Sequence, residues 1–160
     1  MMRLLGALET ILKFSIGALI AIIVGLTAYG VPMRYLFLRP QAWAMEISRF
    51  GFPWLVMLGA ALITRQKAHI NITFLLDRLP QPIRFLWQLV IHLTMLAFCG
   101  ILVEQGLNIY PTVAGAKSPT LNWSMGWLYL PVPVSGALMG LFIVEQMIRL
   151  CVERRWRAKA

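Results

Sequence analysis

Phe14-Ser-Ile-Gly-Ala-Leu-Ile-Ala-Ile-Ile-Val-Gly-Leu-Thr-Ala-Tyr-Gly-Val-Pro-Met33 is a run of 20 residues without a charge. At about 1.5 Å of rise per residue it makes roughly 30 Å of helix, the thickness of a bilayer's hydrocarbon core. Working outward, the same pattern recurs. Phe85–Val103 gives 19 uncharged residues and Leu128–Val144 gives 17. Phe50–Thr64 gives only 15, and the Trp43–Arg49 segment before it supplies a helical lead-in with Trp and charges at the interface. The expected fold is all-α and integral to the membrane. It has four transmembrane helices, at about 14–36, 45–64, 84–104 and 128–148, in a single membrane domain.

Composition agrees with this pattern. Of 160 residues, 59% are hydrophobic and only 13% charged, and the mean hydropathy is +0.73. Such a chain is too apolar for a soluble enzyme. The net charge of +9 could suggest nucleic acid, but its cations sit between hydrophobic runs and not on one soluble face. The first run is too long for a signal-peptide core, and no A-x-A-like site follows it.

The cations set orientation. Eleven of the 15 fall on one side: Arg3 and Lys13, then Arg65, Lys67, Arg78 and Arg84, then Arg149, Arg154, Arg155, Arg157 and Lys159. Arg34, Arg39, Arg49 and Lys117 fall on the other. The positive-inside rule therefore predicts that both termini are cytoplasmic and that 149–160 is a basic cytoplasmic tail. Cys99, near the outer end of the third span, and Cys151, beyond the fourth, are predicted to lie too far apart for a disulfide.

Between the spans, short amphipathic helices are expected. Residues 1–13 carry Leu4, Leu5, Leu8, Ile11 and Leu12 as one apolar stripe, either lying on the membrane or extending the first span. Residues 69–79 read as an interfacial helix stopped by Pro80 and Pro82, and 105–127 as the longest outer loop, rich in Pro and Trp. Gly17, Ala21 and Gly25, and likewise Gly136 and Gly140, recur every fourth residue and are candidate helix-packing positions.

Ion-coupled transporters carry ionisable groups at mid-membrane, where they are costly and persist for a task. Here Glu46, Glu104 and Glu145 are all expected near helix ends, solvated by water and headgroups. His92 alone lies well inside a run, as a neutral imidazole bonded to a neighbouring helix. A bis-histidine haem would need His69 at the same depth, and His69 lies near the cytoplasmic mouth. A haem-bearing or structural anchor of a respiratory complex is the alternative reading, and an ion-coupled exporter would want a buried acid. Glu46 and Arg49, at i, i+3, are expected to pair at the outer interface beside an anchoring Trp43, either as plain anchoring or as a contact with another subunit.

The order of residues resembles one family. Arg34-Tyr-Leu-Phe37 is followed by Trp43-x-x-Glu46-x-x-Arg49 and Trp54, then Leu58-Gly-Ala-Ala61, Arg65, His69-Ile-Asn-Ile72 and Leu79-Pro80. Ser118-Pro-Thr-Leu121 and Leu130-Pro-Val-Pro133 complete the set. The chain resembles the small, DctQ-type membrane subunit of a tripartite ATP-independent periplasmic (TRAP) transporter. Two positions depart from the family: Thr73 stands where an Asp is common, and Met45 where a second acid accompanies the glutamate. The resemblance implies a multi-pass subunit of the bacterial inner membrane that is not an enzyme. It implies a large multi-span permease as partner, a periplasmic solute-binding protein that delivers an organic acid, and sodium bound on the large subunit, with no cofactor on this chain. Trp43, Glu46, Arg49, Trp54, Arg65 and His69 are then the candidate subunit-interface or interfacial residues, in a scaffold surrounded by membrane lipid.

Overall fold

In the computed structural model, residues 2–38, 41–66 and 81–157 are described. Four long helices dominate: α1 (Met2–Tyr35), α2 (Ala42–Arg65), α3 (Gln81–Ala114) and α5 (Pro131–Arg157), with a single turn, α4 (Gly126–Tyr129), leading into α5. All four long helices are long and apolar enough to cross a membrane. The expected interfacial helix at 69–79 and His69 lie outside the described residues.

The helices form a row. α1 packs on α2, α2 on α5, and α5 on α3. Position in the row decides exposure: about 39% of the span through α5 is buried, against 6% for α1 and 11% for α3. One core cluster joins α2, α3 and α5 through Ala61, Cys99, Met139 and Ile143, and a second joins α1, α2 and α5 through Leu12, Leu58 and Phe142. Lipid tails are as apolar as Leu, so close fit and not expulsion from water holds such helices together. Phe142 and Ile143, at 0% and 1% exposure, show how tightly the middle of the row is filled.

Three details sharpen or revise the expectations. Of the two readings of the N-terminal stripe, extension of the first span holds: α1 runs unbroken from Met2, and Leu12 is buried against α2 and α5. The third helix continues ten residues past its expected end at 104, so Gln105–Ala114 belongs to α3 and not to the loop. Pro111 signals a break, yet the helix runs three residues past it and gives up only the one backbone bond that its missing N–H would have donated. The helix end is then held by Ser124 Oγ donating to Ala114 O (2.7 Å) and Ala116 N donating to Val113 O (3.1 Å). Cys99 consequently sits in the middle of α3, buried, and not near its outer end.

What remains of the loop is a tight hairpin. Lys117 and Ser124 form a bridge, Ser118 N donates to Trp123 O and Met125 N to Ala116 O, each at 2.8 Å. Asn122 turns the chain at φ 58°, a left-handed conformation that Asn tolerates through its short polar side chain.

Candidate functional site

Polar side chains gather at the two ends of the α2–α5 pair. At the end that holds the N-terminus, Arg65 in the last turn of α2 donates through Nη1 to Glu145 Oε2 on α5. Arg149 Nη2 and Nε, one turn further along α5, donate to Glu145 Oε1 at 2.6 and 3.1 Å. Arg65 Nε also faces Glu9 Oε2 of α1 at 3.6 Å, and Lys13 Nζ donates to Glu9 Oε1 at 2.7 Å. The Arg65 guanidinium lies 5.7 Å from the centre of the Phe142 ring, and Gln146 Nε2 donates to Thr64 O at 2.7 Å. One arginine thus joins three helices.

This network corrects one expectation and sharpens another. Glu145 is not solvated at a helix end: it is 4% exposed, and α5 continues well past it. Burial of a carboxylate is tolerable only where cations meet it, and here two guanidiniums do. Arg65, a candidate interface residue by sequence, spends itself inside the chain. The signal was present: an acid and an arginine four apart on one helix, with a second arginine ending another apolar run. What sequence lacked was the depth at which they meet.

The other end is organised on Glu46. Its Oε2 accepts from Leu121 N of the hairpin at 2.8 Å, while its side chain is 8% exposed. Phe50, one turn along, meets Trp123 edge-on at 5.8 Å, and Trp54 Nε1 donates to Trp127 O at 3.1 Å. The expected Glu46–Arg49 pair does not form. Glu46 turns inward to an amide that would otherwise go unpaired, and Arg49 faces outward and exposed. Trp43 packs against Tyr29 of α1 at 6.3 Å and donates to Gln41 Oε1.

The remaining candidates divide by environment. A Cβ at Gly136 would lie 3.1–3.3 Å from Val103, Leu102 and Cys99 O of α3, and one at Gly140 would lie 3.9 Å from Cys99 and Leu96. Gly17, Ala21 and Gly25 are exposed on α1, and a Cβ at either glycine would meet nothing within 4 Å. Gly106, which sequence did not single out, makes the closest approach of all: a Cβ there would lie 2.6 Å from Pro133 Cδ. His92 is buried, but its Nδ1 pairs with Gln88 O of its own helix at 2.7 Å and not with a neighbouring helix.

A row of four spans, clasped by polar contacts at both ends of its central pair and apolar on its flanks, is a multi-pass membrane subunit built for packing. Residues 23–153 match the family described as "Tripartite ATP-independent periplasmic transporters, DctQ component". The chain belongs to that family: it is a small permease component of a TRAP transporter, and not an enzyme.

Relatives agree. The chain is 26% identical over 132 residues to the sialic acid TRAP transporter small permease protein SiaQ of Vibrio cholerae, covering 82% of this chain and 76% of that protein. It is 30% identical over 142 residues to a putative TRAP transporter small permease protein of Haemophilus influenzae, covering 89% and 86%. It is also 25% identical over 133 residues to the sialic acid TRAP transporter permease protein SiaT of Haemophilus influenzae, covering 82% of this chain but only 22% of that protein. A stretch like this chain therefore also occurs within a longer permease polypeptide, as fits a subunit that works with a large permease partner. Membership of this family sets aside the haem-bearing anchor.

Proposed function

We propose that this chain is the scaffold half of a sodium-coupled importer in the bacterial inner membrane. Both termini face the cytoplasm, in line with the eleven cations assigned to that side. It packs on the large permease subunit, which binds sodium and carries the solute, and its outer end helps receive a periplasmic binding protein. The solute is an organic acid such as a dicarboxylate, keto acid or sugar acid, and sialic acid and C4-dicarboxylate appear in the names of relatives.

The observation that carries this reading is how the chain spends the polar groups at the two ends of the α2–α5 pair. Glu46, Arg65, Glu145 and Arg149 all close contacts within the chain, so none of them is left as a site for an ion or a solute. The flanking helices meanwhile present apolar surface outward, Ile20, Val24, Phe98 and Ile101 among it.

A reconstitution test separates scaffold from carrier. Vesicles holding this chain alone are expected to show no substrate-dependent sodium flux, and vesicles holding it with the large subunit and binding protein are expected to show it. Flux from this chain alone would overturn the reading.

A further inference from the structure

We infer that the cleft between α1 and α2 at the Glu46 end is a binding site for an anionic glycerophospholipid, with the phosphate at Arg34 and an acyl chain laid along the cleft. The space is about 390 Å³. That is within the usual range for small-molecule sites, roughly 300–1,000 Å³.

The lining is graded along the helix axes. α1 contributes Leu26, Gly30, Val31 and Arg34 in ascending order, and α2, running the other way, contributes Ala44 and Met45. From Leu26 to Arg34 is about 12 Å of rise. The upper end is polar, with Arg34, Tyr35 and Gln41, and the lower end is apolar. Two hydroxyls in the lower wall do not alter this. Thr27 Oγ1 donates to Ile23 O at 2.8 Å and Ser48 Oγ to Ala44 O at 3.0 Å, so both are spent on their own helices.

Charge decides the occupant. Arg34 is exposed at the mouth, stacked 5.8 Å from the Tyr35 ring centre. The nearest acid in sequence, Glu46, is turned away to Leu121 N, so it does not neutralise the site. A cation above an apolar slot, near the end of α1, matches a lipid phosphate above its acyl chain. A larger groove of about 690 Å³ on the other side of the α1–α2 contact has no charged residue in its lining and selects nothing in this way.

Two substitutions divide the headgroup from the chain. Arg34→Gln removes the cation and keeps the length. Gly30→Leu fills the slot from a position where an added Cβ meets nothing within 4 Å. The full-length chain, purified in detergent, is titrated with phosphatidylglycerol or with phosphatidylcholine of the same acyl chains, and retained lipid is read by native mass spectrometry. Phosphatidylglycerol should be retained about fivefold better by the unsubstituted chain, as one surface cation allows. Arg34→Gln should remove most of that preference, and Gly30→Leu should lower retention of both lipids. Equal retention of the two lipids by the unsubstituted chain would overturn the proposal. So would an unchanged preference in Arg34→Gln, retention unaffected by Gly30→Leu, or loss of all retention when the large subunit is present, which would mean that a partner helix fills the cleft.

Discussion

Glu145 shows what a single buried charge demands of its neighbours. With one carboxylate between two guanidiniums, removing the acid leaves Arg65, itself mostly buried, with Glu9 at 3.6 Å as its one carboxylate neighbour among the described residues. Breaking a buried pair from one side costs about 3–5 kcal/mol, and the partial exposure of Arg149 reduces this here to about 2. Glu145→Ala is therefore expected to lower the thermal midpoint of the detergent-solubilised chain clearly. Lys13→Ala, which removes an exposed i, i+4 pair, should shift it barely, since solvent screens such pairs. Equal shifts would mean that Glu145 is not the centre of the clasp. Glu46 poses a different question, because its partner is a backbone amide. Glu46→Gln keeps an acceptor for Leu121 N, while Glu46→Ala leaves that amide unsatisfied at a cost of about 1–3 kcal/mol. Hydrogen exchange over residues 116–125 should accelerate in the alanine variant and stay close to wild type in the glutamine variant. Arg49→Ala should leave that exchange unchanged, and an effect there would restore the Glu46–Arg49 partnership expected from sequence.

At the scale of elements, small residues set how closely helices approach, and the glycines are not equivalent. Gly106→Ala must push α3 away from Pro133 at the start of α5, and overpacking of this kind costs about 1–3 kcal/mol. Gly140→Ala meets only ordinary contacts at 3.9 Å and gains helix propensity of up to about 1 kcal/mol, so it should be neutral or stabilising. Thermal unfolding of both variants checks the contrast, which fails if Gly140→Ala is the more damaging. The same comparison shows why some of the fold was legible and some was not. Uncharged runs report directly on spans, because bilayer thickness imposes a length that a sequence must meet. Gly136-x-x-x-Gly140 was legible as a packing motif, but Gly106 stands alone and its importance comes from Pro133, 27 positions away. The end of α3 is not legible because Pro111 is a local signal, whereas the hairpin bond from Ser124 that closes the helix is not. Glu46 and Arg49 share a helix face by spacing, and only the arrival of Leu121 decides which way the carboxylate turns.

For the whole molecule, a row has two edges, and the row's order leaves α1 on one and α3 on the other. Both edges are apolar, but they differ in relief. The α1 edge carries Gly17, Ala21 and Gly25 in the open, a shallow channel where a foreign helix can bring its backbone close. The exposed face of α3 instead carries Leu93, Phe98 and Ile101, bulky side chains that lipid accommodates as readily as protein. If the chain is a scaffold for a large permease, the α1 edge is the one shaped for it. Two matched substitutions test this at exposed positions, Gly25 and Gly100, where an added Cβ meets nothing within 4 Å inside the chain. Gly25→Leu fills the channel, and the added bulk at a close helix contact should cost about 1–3 kcal/mol. That is a loss of roughly 5- to 150-fold in affinity for the large subunit. Gly100→Leu, the same change on the opposite edge, should leave affinity as it is. Co-purification of the two subunits over a dilution series reads both. Loss with Gly100→Leu and retention with Gly25→Leu would move the partner to α3, and the channel on α1 would then be a surface for lipid.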